Sequence, residues 1–199
     1  MDETAGPNPV ALVFRHVVQA RLEVLFQEGA RILRVECRTG ADAAALTPAG
    51  GGFDGAHVSL GPLGLADLRA VGAALAAALR PGATVVVSLP GPWPLPATIR
   101  RTLTGVGDAR RRRASIFGEA PPAVATAAEV RSALGAAFEW TDSYALGVLL
   151  PGPAQGGWAA DHPQTFGLLA ALERKVRRWP GLRQLGDVSV LEGRRRDTA

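Results

Sequence analysis

The stretch Arg34-Val35-Glu36-Cys37-Arg38-Thr39-Gly40 brings a thiol, a carboxylate, two guanidinium groups and a hydroxyl into one short segment. A catalytic thiol needs a partner base to release its proton, and none is apparent in the neighbouring sequence. Cys37 is also the chain's single cysteine, which rules out an intramolecular disulfide, and histidines at positions 16, 57 and 162 are too scattered for a structural zinc site. No metal is expected. His57 and Ser59 lie on one strand-like run and Ser88 closes another, so these three would line the crevice where α/β folds bind ligands. Nothing nearby in sequence activates His57 as a general base, and a buried structural histidine is the preferred reading. No residue is assigned a catalytic role.

A second kind of chemistry lies in the arginines. All of the 22 basic residues except Lys175 are Arg, against 18 acidic ones, for a formal charge of +4. They cluster as Arg110-Arg111-Arg112-Arg113, as Arg174, Lys175, Arg177, Arg178 and Arg183, and as Arg194-Arg195-Arg196. Arginine's planar fork suits carboxylate, phosphate and aromatic partners, so an acidic protein or a lipid headgroup surface could answer these patches, while a solvated surface accounts for them equally well. No nucleic-acid-binding motif accompanies them, and nucleic acid is not the expected partner. Trp93, set among Pro90, Pro92, Pro94 and Pro96, and Trp158 are the aromatic residues that could anchor a contact beside them.

These residues need a scaffold, and the chain can build one. With 199 residues, 47% of them apolar, it is long enough for one domain with a real core, spanning residues 10–192 between a short polar N-terminus (1–9) and a basic tail (193–199). A Pro- and Arg-rich insertion covers 90–125. No apolar run approaches the roughly 20 residues of a membrane span, and the acidic, Pro-containing start does not read as a signal peptide, so the expected location is the cytoplasm.

Periodicity supplies the elements. Val10 to Glu28 reads as a helix stopped by Gly29, Arg31 to Val35 as a strand, Ala41 to Leu46 as a short helix, and Phe53 to Leu60 as a second strand. Leu65, Leu68, Val71, Leu75 and Leu79 mark a helix ended by Arg80-Pro81-Gly82, before the buried strand Thr84 to Leu89. Thr126 and Glu129 have capping-box spacing for a helix running to Phe138. Trp140 to Leu150 then reads as a strand, Asp161 to Trp179 as an amphipathic helix burying Phe166, Leu169, Leu172 and Val176, and Asp187 to Leu191 as the last strand.

At Arg31 to Gly40, Phe53 to Leu60 and Leu65 to Leu89 the chain resembles the class I S-adenosylmethionine-dependent methyltransferases. Those enzymes open with a strand and a loop of the type D-x-G-C-G-T-G, aligned here with Arg34 to Gly40. Their fourth strand often begins F-D, as at Phe53-Asp54, and the next helix ends L-x-P-G-G, as at Leu79-Arg80-Pro81-Gly82-Ala83. The resemblance implies an α/β, Rossmann-like fold. It also implies a loss. Two glycine positions of the cofactor loop are Glu36 and Arg38, only Gly40 remaining, and the leading acid is Arg34. Only residues 41–52 separate Gly40 from Phe53, too few for the second and third strands that frame ribose and adenine in the family. The expected fold is therefore a mostly parallel sheet of about five strands, in the order 1-4-5-7-6 of the family's numbering, with its first strand at an edge.

On this reading Glu36, Arg38 and Gly40 are a degenerate cofactor loop that does not function. The chain is a methyltransferase-like pseudoenzyme with no cofactor, a non-catalytic binding or structural subunit of a larger complex. Trp93, Arg110, Arg111, Arg112, Arg113, Arg174, Arg177 and Arg178 are its partner-binding residues. Two alternatives stand beside it. One is an active enzyme that methylates a small molecule in a rebuilt pocket and binds S-adenosylmethionine; the other is a peripheral binder of an anionic membrane surface at the membrane's inner face.

Overall fold

The computed structural model describes residues 8–39, 42, 51–61, 63–91, 125–151, 156–183 and 185–197. Gly40, Trp93, the Arg110 to Arg113 run and, apart from Asp42, the expected Ala41 to Leu46 helix lie outside the described residues.

Helix α1, Pro9–Leu25, starts where Asn8 accepts from the Val10 and Ala11 N–H groups with its side-chain oxygen (3.0 and 3.3 Å), with Pro9 in the first turn. The five strands are β1 (Ile32–Cys37), β2 (Phe53–Leu60), β3 (Leu79–Pro90), β4 (Phe138–Leu146) and β5 (Val188–Arg195). They form one sheet of order β1-β2-β3-β5-β4. β1, β2 and β3 are parallel, and β5 runs antiparallel to both neighbours. Counted in chain order, this is the expected five-strand arrangement with β1 at an edge.

Helices cover both faces. On one side α2 (Leu65–Ala78) and α3 (Ala127–Leu134) bury Leu68, Val71, Leu75, Val130 and Leu134 against Val58, Leu60, Val85, Val87 and Leu89. On the other, α1, α4 (Gly156–Asp161) and α5 (Pro163–Val176) pack on Val86, Tyr144, Leu146 and Val190. Alternation along each strand serves the two layers at once, which is why the strands read as near-continuous apolar runs.

Several boundaries move from their expected places. α1 ends at Leu25, where Phe26 turns to extended backbone, and Gly29 (φ 81°) sits in the following turn. α2 passes directly into β3 at Leu79; Arg80 to Ala83 bulge out of register, since Phe53 pairs with Leu79 but Gly55 with Thr84. Thr126 and Glu129 do form the capping box, but the helix ends at Leu134 and Gly135 (φ 89°), so Phe138 opens β4 instead of closing α3. β4 ends at Leu146. The expected helix Asp161 to Trp179 is α5 alone, starting at Pro163 after a break from α4 at His162 and ending at Val176, and its inward face carries Phe166, Leu169, Ala170 and Glu173, with Leu172 exposed. β5 runs to Arg195, so Gly193 to Arg195 are strand and not a frayed tail: Arg194 pairs with Thr84 and Glu139.

Candidate functional site

In open α/β sheets ligands bind beyond the carboxyl ends of the strands. Here that edge begins at Glu36, Cys37 and Arg38. Asp42 folds back over the turn, and its Oδ2 accepts the N–H groups of Arg38 and Thr39, both at 2.7 Å. Those two backbone donors, Thr39's first, hold the Asp42 carboxyl below its usual range. The Arg38 guanidinium closes on Glu36 Oε1 at 2.9 and 2.7 Å. With both side chains more than half exposed, at 74% and 59%, this ion pair adds little stability. Cys37 between them is fully buried, and burial, with a smaller push from Asp42, raises its thiol, the wrong direction for a nucleophile.

One strand inward, His57 Nε2 and Ser88 Oγ lie 3.3 Å apart across the β2–β3 pair. Burial first, and the positive charge of neighbouring Arg34 second, lower the His57 pKa, which favours the neutral ring. Ser59 is half-buried on the same face, two residues along β2. The structure thus brings His57 and Ser88 together and places Arg34 beside them. Leu60, Gly61, Leu63, Leu89, Pro90 and Val130 leave a cavity of about 10 Å³, room for about one water.

A roomier cleft of about 420 Å³ opens at the other end of the sheet, where Leu25, Phe26, Glu28, Arg80 and Arg194 surround the strand entrances. Asp54 organises it: one carboxylate oxygen accepts the Arg31 N–H (2.7 Å) and the other meets Arg80 Nε (2.9 Å). The Phe53-Asp54 pair therefore ties the start of β1 to the β3 bulge.

The second arginine cluster is divided. Arg177 and Arg178 stack on the Tyr144 ring at 5.3 and 5.4 Å, and Arg178 also meets Asp142 at 3.0 Å. Arg174 and Lys175 point to solvent. Trp158 lies 37% exposed and stacks on His162 at 5.0 Å, so it packs on its own domain.

Three polar arrangements inside the fold were not singled out from sequence: the Arg21–Glu192 pair, Glu173 and the Tyr144 hydroxyl. Arg21 on α1 grips Glu192 on β5 with both prongs (2.8 and 2.6 Å). Glu173 accepts the N–H groups of Val148 and Leu149 at 3.1 and 2.8 Å. Tyr144 is buried with no hydrogen-bond partner for its hydroxyl among the described residues, and burial first, Glu192 second, push its pKa up to about 12. Spacing held the signal for two of them. Arg21 continues the Phe14, Val18 stripe of α1, and Glu173 continues Phe166, Leu169, Ala170 on α5.

Among the described residues no group of three His, Cys, Asp or Glu could hold a metal ion, and no helix is long and apolar enough to cross a membrane. No protein-family model matches the chain, and no curated protein matches it. Solved structures do. The crystal structure of the cyclase SpnF superimposes with a TM-score of 0.53 at 14% identity, over 97% of this chain and 85% of that one. A protein from Galdieria sulphuraria assigned as a sarcosine dimethylglycine methyltransferase gives 0.51 at 10% identity, over 95% of this chain and 87% of that one. At such identities the likeness establishes architecture and not activity. The chain has a methyltransferase-like, Rossmann-type α/β fold.

Proposed function

We propose that this chain is a non-catalytic derivative of the methyltransferase fold that works as a binding or structural subunit. The observation that carries the reading is Asp42, which occupies the Arg38 and Thr39 N–H groups at the loop where a cofactor would seek backbone donors. A ligand there would have to displace a carboxylate already holding two short hydrogen bonds. The residues around it do not fit S-adenosylmethionine: the glycine positions that let a backbone approach closely are Glu36 and Arg38, and Arg34 adds positive charge near a cationic sulfonium. The cavity beside it, lined by Leu60, Leu63, Leu89 and Val130, has room for about one water. The two solved relatives carry different activities by name, a cyclase and a methyltransferase, so the fold itself does not prescribe methyl transfer.

Calorimetric titration of the full chain with S-adenosylmethionine tests this. No heat of binding up to millimolar ligand is expected. Micromolar affinity would sink the proposal and favour an active small-molecule methyltransferase, for which His57 and Ser88 are the polar pair at hand.

A second reading rests on the outer side of α5. Leu168 (62% exposed), Leu172 one turn on, and Trp179 just past the helix leave apolar surface in water beside Arg174 and Lys175. Apolar and basic side chains together suit an anionic membrane surface. Co-sedimentation with phosphatidylserine vesicles tests it: Leu168→Ser with Leu172→Ser should abolish binding, and absence of binding by the unaltered chain removes the reading.

A further inference from the structure

The two edges of the sheet differ. Along β4 the Ala145 N–H donates outward to the Arg177 carbonyl (3.0 Å) and Arg178 holds Asp142, so the chain after α5 covers part of that edge. At the opposite edge, β1 pairs only with β2 among the described residues. The Arg31 carbonyl accepts from Asp54 N–H (2.9 Å) and the Cys37 carbonyl from Gly61 N–H (2.7 Å), so the odd-numbered residues turn their backbone groups inward. By strand alternation Ile32, Arg34 and Glu36 turn theirs outward. The free row stops at Arg38, whose N–H belongs to Asp42.

An open strand edge is a template for another strand. We infer that a second copy of this chain occupies it, β1 pairing antiparallel with β1 about a two-fold axis at Val35. Geometry and charge select that register. In an antiparallel pair the hydrogen-bonded partners must both present outward groups, so even-numbered residues face even-numbered ones. An axis at Arg34 sets Arg34 against itself, and one at Glu36 sets Glu36 against itself; like charges directly opposite are destabilising. An axis at Leu33 slides Glu36 past the end of the other strand. At Val35, Arg34 of each copy faces Glu36 of the other, twice, on one face of the joined sheet. On the opposite face Val35 meets Val35 and Leu33 meets Cys37, which continues the apolar layer to which Leu33 and Val35 belong.

The single chain leaves this arrangement incomplete in a specific way. Arg34 is exposed and has no acidic partner among the described residues, while Glu36 is ion-paired through one oxygen only, Oε1, to Arg38. The two-fold supplies Arg34 with a carboxylate and Glu36 with a second guanidinium. A surface so related to itself is what an isologous dimer requires. The dimer shares Arg34 and Glu36 with the altered loop but rests on the outward backbone groups of β1, so sedimentation reads it separately from the calorimetric test of S-adenosylmethionine binding.

A six-residue strand pair is smaller than a standard interface, so the association should depend on concentration. Sedimentation velocity of the full chain across a concentration series should show monomer giving way to dimer. Arg34→Glu and Glu36→Arg should each weaken dimerisation about tenfold or more, because each replaces two attractive pairs by two repulsive ones. Both positions are exposed, and the double exchange Arg34→Glu with Glu36→Arg should restore near-original affinity. Val35→Cys in a Cys37→Ala background should yield a disulfide-linked dimer on mild oxidation, since a non-hydrogen-bonded pair brings the two Cα atoms to about 4.5 Å. A monomer at every concentration, a double exchange as weak as the single ones, or no cross-link at position 35 would each overturn the inference. So would a monomer whose Arg34 and Glu36 amides resist hydrogen exchange, which would place a segment of the same chain on the edge.

Discussion

Arg21 and Glu192 lie 171 positions apart in the chain and meet in a two-pronged ion pair, Nε to Oε1 at 2.8 Å and Nη2 to Oε2 at 2.6 Å. Glu192 sits on β5 next to the middle of the sheet with its side chain 3% exposed, while Arg21 remains 32% exposed on α1. The pair pins the first helix to the last strand, so the N- and C-terminal parts of the chain share one contact. Removing one member leaves a buried carboxylate without compensation. Arg21→Met should therefore lower the stability measured by urea unfolding by about 3 kcal/mol. Arg21→Met with Glu192→Leu should recover most of that, and equal losses in the single and double variants would show that the carboxylate is not what suffers.

Glu173 is the second buried carboxylate that holds structure. Its two oxygens each take one N–H from the turn after β4, at Val148 and Leu149. Glu173→Gln turns one acceptor into a donor facing a donor, and should cost about 2 kcal/mol. Amide hydrogen exchange at Val148 and Leu149 should accelerate in the variant. Leu172→Gln, one residue away but exposed, should change stability by no more than about 0.5 kcal/mol.

Gly72 measures how closely α2 and α3 approach. A methyl group there would lie 2.5 Å from the Leu134 carbonyl oxygen and 2.7 Å from its Cα, both backbone atoms that cannot swing aside. Gly72→Ala should be destabilising by about 1–3 kcal/mol despite alanine's better helix propensity, because the two helices must separate. Equilibrium denaturation decides it. A stabilised variant would mean that the helices slide without loss.

His57 gives the fold a pH dependence whose sign follows from its environment. Burial, then Arg34, lowers its pKa in the folded state below the ordinary 6.5. As pH drops below about 6.5 the unfolded chain takes up the proton that the folded chain resists, so stability present above that pH is lost on acidification. His57→Asn should flatten this part of the profile when urea midpoints are compared between pH 7.5 and 5.5. An unchanged slope would assign the acid sensitivity to other groups.

Much of the architecture is legible in the residues themselves. The run Thr84 to Leu89 is buried on both sides and β-branched, and it falls inside β3; Phe53 to Leu60 matches β2 residue for residue. Thr126 and Glu129 announced their cap through spacing alone. Errors came where a signal had two meanings. Arg80-Pro81-Gly82 reads as a helix stop, yet α2 ends earlier, at Ala78, and these residues form a bulge inside a strand already begun at Leu79. The spacing of Phe166, Leu169, Leu172 and Val176 puts Leu172 in the core, while the inward position is one residue on, at Glu173, whose carboxylate finds two backbone donors there. Of the candidate site, the altered loop at Glu36 and Arg38 was legible because glycine is missing where close approach would need it. That Asp42 takes that loop's N–H groups was not, since a carboxylate four residues on could equally have faced solvent.

By itself the sequence determined the periods: which segments are helical, which extended, which residues turn apolar, and that too little chain separates Gly40 from Phe53 for two further strands. These are local properties, set by backbone geometry over a few residues. Only the tertiary structure decided which side chains meet across the sheet: Glu192 under Arg21, and Arg177 and Arg178 stacked on Tyr144. Such pairings depend on strand order and register across the whole sheet, and residues far apart in the chain acquire partners only after the core has chosen both.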